Sequence, residues 1–179
     1  SAPTAKAAAA DCAIAKGIDA APVADLTIVH DGAALVASPM LAALAIDEHD
    51  VGDVVIDNAD PINESGLFGA TAITGYSSEG NVDITNQPGA DLYAGTVYGN
   101  AIGIYAYSAL GDAGVHNDGD VTAISYYGLA DGIFASGSDV EVANSGAIET
   151  YGYTWTAGIE AEGANSTSVV NSGDISVNT

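Results

Sequence analysis

Val140-Glu141-Val142-Ala143-Asn144-Ser145-Gly146 is the stretch that decides the fold, because versions of it recur along the chain. Val169-Val170-Asn171-Ser172-Gly173 repeats its second half, and Val115-His116-Asn117-Asp118-Gly119 keeps its Val, Asn and Gly. A short β-type run that ends in an Asn turn and returns at a steady period is typical of a solenoid. We therefore expect successive coils in which equivalent residues stack on one another.

Six marker positions define the repeat, and neighbouring markers are 27 to 31 residues apart. The markers are His30, Asn58, Asn86, Asn117, Asn144 and Asn171. Two residues before each marker stands an Ile or Val, which gives the alternation of a half-buried strand. Asn at the same corner of successive coils predicts a side-chain amide ladder, with His30 in the Asn position of the first coil.

A second column of isoleucines lies midway between the markers. Its members are Ile46, Ile73, Ile104, Ile133 and Ile159. Two apolar columns, each repeated once per coil, can close a continuous interior that no single run could bury alone. The sequence therefore predicts an all-β fold, a right-handed parallel β-helix of about six coils over residues 24–179. The expected hand follows from the rule for parallel crossovers.

Two segments depart from the regular repeat. The longest coil places its extra residues around Gln87–Gly99, where Pro88, Gly89 and Gly95 permit an outward loop. Residues 1–23 carry no marker, and their Ala-rich run is helix-compatible up to Gly17, where a helix would end. We expect residues 1–23 to form an N-terminal cap or docking arm.

The charge balance excludes several classes of partner. The chain has 24 acidic residues against two lysines and no arginine, for a net charge of −22. Nucleic acid and anionic membrane surfaces both require Lys or Arg, so neither is expected as a partner. No apolar run is long enough for a transmembrane helix, so membrane insertion is not expected either. The acidity itself favours cation binding, solubility at high salt, or simply a solvated outer face.

The repeat resembles the coils of autotransporter passengers and filamentous-haemagglutinin-type surface proteins of Gram-negative bacteria. The resemblance covers roughly Asp25 to Thr179 and rests on Val-x-Val-x-Asn-x-Gly-x-Ile followed by Gly-Ile-x-Ala. It implies secretion to the cell surface and a rod that carries binding loops. The family's C-terminal membrane domain does not follow Thr179, so we expect either a fragment of a longer passenger or a short free-standing relative.

The sequence predicts no catalytic residues. Polysaccharide lyases with this architecture need Arg or Lys, which the coils lack. The carboxylates are spread around the coil rather than paired as in glycosidases. The three histidines, His30, His49 and His116, lie outside any nucleophile elbow and lack zinc-ligand spacing.

Two sets of residues are candidates for binding. Calcium prefers six to eight oxygen ligands, which clustered carboxylates and turn carbonyls supply, although the calcium-binding β-roll nonapeptide is absent. The candidate calcium ligands are Asp112, Asp118, Asp120 and Asp131. Exposed aromatic side chains bind sugars or protein surfaces, although tyrosine also suits solvent-facing strands. The candidate glycan- or protein-binding residues are Tyr126, Tyr127, Tyr151, Tyr153 and Trp155.

These observations favour a non-enzymatic, extracellular structural or adhesive β-helix. Because the end strands of a solenoid present unpaired edges, the hypothesis includes self-association through the ends, giving head-to-tail filaments. The second hypothesis is a carbohydrate-binding or carbohydrate-cleaving β-helix that uses the aromatic set and the acidic corners.

Overall fold

The computed structural model describes residues 14–19, 25–30, 35–37 and 42–179, and of the side chains before residue 49 only that of Ile46. These residues form 16 strands. The strands are β1 (Ile14–Asp19), β2 (Asp25–His30), β3 (Leu35–Ala37), β4 (Ala42–Asp50), β5 (Asp53–Asn58), β6 (Ile62–Gly66), β7 (Gly69–Ser77), β8 (Val82–Asn86), β9 (Leu92–Thr96), β10 (Asn100–Ser108), β11 (Ala113–Asn117), β12 (Val121–Ser125), β13 (Leu129–Asn144), β14 (Ile148–Gly152), β15 (Trp155–Asn171) and β16 (Ile175–Asn178). The described residues contain no helix that is long and apolar enough to cross a membrane.

The strands assemble into two parallel sheets wound by one continuous coil. The smaller sheet has six strands, β3, β6, β9, β12, β14 and β16, and receives one from each successive coil. The larger sheet holds the other ten. Every pairing between the described strands is parallel. The predicted all-β parallel β-helix is therefore confirmed.

The larger sheet bends where each coil turns a corner. The early coils break there into two strands, whereas β13 and β15 run through the bend as single strands of 16 and 17 residues. Glycine is required elsewhere in this sheet, within β10 and β13, where each strand faces the smaller sheet across the core. A Cβ on Gly103 would lie 2.2 Å from Cγ1 of Val121, and one on Gly132 would lie 2.4 Å from Cγ2 of Ile148. The glycines in Gly-Ile-x-Ala are therefore required, because any side chain at these positions would clash with the facing residues.

The register of the strands matches the period of the sequence. Asn117 pairs with Asn86 on one side and with Asn144 on the other, and Asn144 pairs with Asn171. His30 pairs with Asn58, as its marker position predicts. The isoleucine column is also continuous from Ile46 to Ile159.

The core lies inside the coil and is built from the alternating residues of both sheets. Val142 is 0% exposed, and the strands around it repeat an alternation of buried and exposed residues. Burying one Ile or Val side chain contributes about 1.5–3 kcal/mol. The largest aliphatic residues that are fully buried are Ile46, Val54, Ile56, Ile62, Ile73, Ile84, Leu92, Ile104, Ile133 and Ile148.

The longest coil takes up its extra length between β8 and β9, within the predicted loop region. Gly89 has a φ of 81°, which side-chain-bearing residues rarely adopt, and it marks the turn. Gly95 does not belong to the loop, because it is buried within β9. The loop also moves the register: Leu92, six residues after Asn86, stands opposite Ile62 and Val121, which each follow their own marker by four residues.

The predicted cap at residues 1–23 lies largely outside the described residues. The part that is described, Ile14–Asp19, is β1, which pairs in parallel with β4. The expectation of a helix that ends at Gly17 is wrong for this part, because Gly17 lies inside the strand. Pairing with β4 gives these backbone groups partners in the sheet and outweighs the weak helix propensity of the sequence.

Val142→Asp tests the register. The change places an unpaired charge at a fully buried position, so we expect a loss of at least about 3 kcal/mol in the free energy of unfolding. Val55 lies on the outer side of β5 and is 39% exposed, so Val55→Asp is the matched control and should be close to neutral. Circular dichroism and thermal melting measure both. A native-like melting curve for Val142→Asp would contradict the assignment.

Candidate functional site

An amide ladder joins five successive coils at one buried corner. The side-chain Nδ2 of Asn58 donates to Oδ1 of Asn86 at 2.7 Å, and Asn86 donates in the same way to Asn117 at 2.8 Å. Asn117 donates to Asn144 at 2.6 Å, and Asn144 donates to Asn171 at 2.7 Å. All five marker asparagines from Asn58 onward therefore belong to one chain of hydrogen bonds.

Each asparagine of the ladder also closes its own turn. Nδ2 of Asn117 donates to the backbone oxygen of Gly119 at 2.7 Å, and Nδ2 of Asn144 donates to that of Gly146 at 2.8 Å. Both amide protons and the oxygen are thus used at positions that are almost completely buried. A fully satisfied buried network fixes geometry rather than offering groups for chemistry. The ladder therefore has a structural role.

Three aspartates and one asparagine form a second column, at the corner where each coil enters the strand segment that ends in its marker asparagine. Oδ1 of Asp53 accepts a hydrogen bond from the backbone N–H of Asn81, at 2.7 Å between N and O. Oδ1 of Asn81 accepts from the N–H of Asp112, and Oδ1 of Asp112 accepts from the N–H of Asp139. Each side chain therefore satisfies a backbone donor of the following coil.

The same type of hydrogen bond recurs at the corner that precedes β9, β12 and β14. Oδ1 of Asp91 accepts from the backbone N–H of Asp120, and Oδ1 of Asp120 accepts from that of Ala147 at 2.8 Å. Carboxylates that accept backbone N–H groups contribute charge-assisted hydrogen bonds, which are stronger than neutral ones. Part of the acidic composition is therefore structural.

The four predicted calcium ligands lie at separate positions. Asp112 precedes β11, whereas Asp118 follows it, so the two stand at opposite ends of that strand. Asp120 lies just before β12, and Asp131 lies in β13. Within residues 46–179 and the earlier described strands, no group of three or more His, Cys, Asp or Glu side chains is placed to hold a metal ion. Calcium binding stays a prediction from the sequence.

Asp118 makes surface contacts with two side chains. Its carboxylate accepts a hydrogen bond from the Ser145 hydroxyl and lies 3.1 Å from Nε2 of His116. The hydrogen bond from Ser145, followed by the charge of His116, lowers the pKa of Asp118. His116 therefore lies against a carboxylate at the exposed surface. The hydrogen bond from Ser145 links Asp118 to the next coil.

Asp131 is one of three buried carboxylates among the described residues, together with Asp50 and Glu64. Its side chain is 3% exposed, and its Oδ1 has no hydrogen-bond partner among the described residues. Burial, together with the charge of Glu160 on the next coil, raises the pKa of Asp131 to about 6. Because burial disfavours the charged form, ionisation of this carboxyl group near neutral pH destabilises the folded chain.

A shallow acidic groove of about 320 Å³ lies on the outer side of β8, β11, β13 and β15. Its carboxylates come from Asp83, Asp112, Asp139 and Glu141. Gly114 lies between them, and a Cβ at this position would meet Oδ1 of Asp83 at 2.5 Å. The groove thus marks the place where the outward column of side chains is interrupted by a glycine.

Aromatic rings stack in two columns on the outside of the coil. In the first, the ring centroids of Phe68 and Tyr98 are 5.8 Å apart, those of Tyr98 and Tyr127 are 5.4 Å apart, and those of Tyr127 and Tyr153 are 6.3 Å apart. The second column runs through His49, Tyr76 and Tyr107. Neighbouring rings in each column come from successive coils.

The five predicted binding residues lie together where the smaller sheet meets the larger, and we call them the aromatic corner. The Tyr126 and Tyr151 rings are 6.4 Å apart, Tyr127 and Tyr153 form the other pair, and Trp155 begins β15. The exposed fractions are 61%, 59%, 41%, 71% and 57% for Tyr126, Tyr127, Tyr151, Tyr153 and Trp155.

Sequence reasoning missed that Phe68 and Tyr98 continue this column to earlier coils. The signal was present, since Phe68, Tyr98 and Tyr127 recur at close to the period of the markers. Aromatic columns of this kind follow from the parallel register, because equivalent positions of adjacent coils always meet.

The chain was compared with protein families, with curated proteins and with solved structures. No family model matches it, and neither a curated protein nor a solved structure shows a significant match. The assignment of the fold therefore depends on the strand pairing and the ladders described above.

Asn117→Ala tests the ladder. The change removes the partner of Asn86 Nδ2, of Asn144 Oδ1 and of the Gly119 carbonyl, and an orphaned buried group costs about 1–3 kcal/mol. We expect a loss of about 3 kcal/mol or more in the free energy of unfolding, measured with urea. Asn171→Ala, at an exposed position, is the control and should cost about 1 kcal/mol. Equal losses would contradict a cooperative ladder.

Asp131→Asn tests the buried carboxyl. Because the folded pKa is raised from 3.8 to about 6, the protonated form stabilises the fold at low pH, and this stability is lost as pH rises from about 4 to about 6. At pH 7.5 we expect Asp131→Asn to be more stable than the parent by up to about 3 kcal/mol, and at pH 4 the gain should vanish. Asp174→Asn, at an exposed position, is the control. A gain that is equal at both pH values would contradict the assignment.

Proposed function

We propose that the chain is a non-enzymatic structural and adhesive element, a rod of stacked coils that presents an aromatic corner. One observation carries the proposal: polar side chains at the described corners are repeatedly engaged in hydrogen bonds that join one coil to the next. Groups used in this way stabilise a scaffold. The exposed aromatic rings are then the part of the surface that is available to a partner.

One feature of the sequence supports placement outside the cell. The repeat resembles secreted surface proteins of Gram-negative bacteria, for which a long stiff rod is an expected shape. We therefore propose an extracellular or cell-surface location. The strong negative charge bears on association instead, because it keeps a flat, strand-rich surface from associating along its sides.

The last described coil supports stacking along the rod axis. Val169, Ile175 and Val177 occupy the inward positions of β15 and β16 and are 46%, 41% and 46% exposed. The equivalent residues one coil earlier, Val142 and Ile148, are 0% and 1% exposed. We propose that a second copy of the chain stacks on these positions.

A carbohydrate-binding or carbohydrate-cleaving β-helix is the second candidate. The grouping of five exposed aromatic side chains in the aromatic corner favours ligand binding of some kind, and aromatic rings are common platforms for sugars. The stacked pair Tyr98 and Tyr127 weighs against long stretches of sugar stacking, because their planes are within 14° of parallel and each ring covers a face of the other.

Self-stacking predicts rods whose length grows with protein concentration. Light scattering after size exclusion, combined with negative-stain microscopy, measures this growth for the 179-residue chain. Val169→Lys puts a charge on the surface that would be covered, so we expect it to abolish growth while leaving the circular dichroism unchanged. Val170→Lys, on the outer side of the same strand, is the matched control and should stack normally. A parent chain that remains a monomer at every concentration would contradict self-stacking.

A further inference from the structure

Ring orientation divides the exposed aromatic column into two parts. Phe68 and Tyr98 are 30° from parallel and Tyr98 and Tyr127 are 14° from parallel, so their faces are turned toward each other along the rod. At the aromatic corner this order breaks. Tyr153 is tilted by 62° against Tyr127, and Tyr151 is tilted by 59° against Tyr126. These two rings are tilted rather than stacked against the neighbour they contact, and Tyr151 and Tyr153 are 41% and 71% exposed, so both are accessible to a ligand.

The charges around the aromatic corner are all of one sign. The sequence has no Lys or Arg after Lys16, so nothing in the solenoid beyond β1 carries a permanent positive charge. Glu149 is exposed on the same face of β14 as Tyr151, two residues away, because this strand alternates between buried and exposed residues. Aromatic faces and a neighbouring carboxylate therefore lie side by side.

This combination selects one class of partner. The face of an aromatic ring is electronegative and attracts Arg guanidinium or Lys ammonium groups, and the attraction adds to that of nearby carboxylates. A net charge of −22 steers cationic partners toward the surface and repels anionic ones. A neutral glycan gains nothing from this field.

We propose that the aromatic corner binds an Arg- or Lys-rich polypeptide segment. The proposal rests on the adhesive function above and names the class of partner for it. Tyr151, Tyr153 and Trp155 supply faces for guanidinium groups, and Glu149 supplies a counter-charge. Salt weakens binding of this kind because it screens the long-range attraction between charges, while the short-range contact with the rings remains.

The chain contains one tryptophan, Trp155, so its fluorescence reports binding at the aromatic corner itself. We would titrate the full chain with octa-arginine and, in parallel, with the neutral sugar cellohexaose, at low and at physiological salt. The expected result is a change of Trp155 fluorescence with octa-arginine that saturates and persists at physiological salt, with no change for cellohexaose.

Two variants at opposite ends of the same aromatic column separate ring contacts from bulk charge. Tyr153→Leu removes a tilted ring and should weaken octa-arginine binding about fivefold, whereas Tyr153→Phe should retain it. Phe68→Leu removes an exposed ring outside the aromatic corner and should leave binding within about twofold. Glu149→Gln should weaken binding and reduce its dependence on salt.

Three outcomes would overturn the proposal. Equal affinity for the parent, Tyr153→Leu and Phe68→Leu would mean that the peptide adsorbs to negative charge alone. Saturable binding of cellohexaose that is lost in Tyr153→Leu, with no response to octa-arginine, would favour the carbohydrate hypothesis. Absence of any fluorescence change with the peptide at low salt would show that the corner does not bind it. Light scattering on the same samples reports stacking separately, so a failure to form rods is distinguished from a failure to bind.

Discussion

Asparagine amides at one corner of five successive coils, each within hydrogen-bond distance of the next, constrain the rest of the structure. A buried primary amide is costly unless its donors and acceptor are all satisfied. Here they are satisfied by Asn residues of adjacent coils and by the carbonyl of the same turn. Sliding one strand by a residue would turn the whole alternating pattern to the wrong face and orphan the amide. Chain length can therefore vary between β8 and β9, while the register of the strands cannot.

The period of the sequence was sufficient to predict this framework. The β-branched residue two positions before each Asn and the repeated Gly-Ile-x-Ala reveal alternation within a coil and equivalence between coils. Both are local patterns, and both columns were found in register. That Leu92 is the stacked residue of its coil could not be predicted, because this depends on how the extra residues around Gly89 are divided between loop and strand. The Ala-rich N-terminal run is compatible with helix and strand alike, and pairing with β4 decides in favour of a strand at Ile14–Asp19.

The candidate sites were less accessible from sequence, for a physical reason. Asp112, Asp118 and Asp120 are close in sequence, and proximity in sequence favoured a shared ligand. A strand lies between Asp112 and Asp118, however, and separates them by about 3.3 Å per residue. Asp112 and Asp120 instead accept backbone N–H groups from the following coil. The aromatic residues were found because they cluster in the later coils at positions expected to lie on adjacent coils, but their orientation, which bears on what they can bind, depends on side-chain packing.

The interior and the corners thus serve stability, and the outer surface is left for interaction. Acidic residues contribute to both. Some hold backbone donors at the corners, and all contribute to a field that favours cationic partners. This double use gives a simple account of how one chain carries so many carboxylates without losing a closely packed core.

The amide ladder has a direction. Every Nδ2 donates to the asparagine that follows it in the chain, never to the one before, and all the strands point the same way around the coil. Because every amide hydrogen bond of the ladder runs the same way, the two directions along the rod are chemically different. Layers added to such an object continue the pattern only when they face the same way. Any assembly that extends the ladder therefore has the same polarity along its whole length.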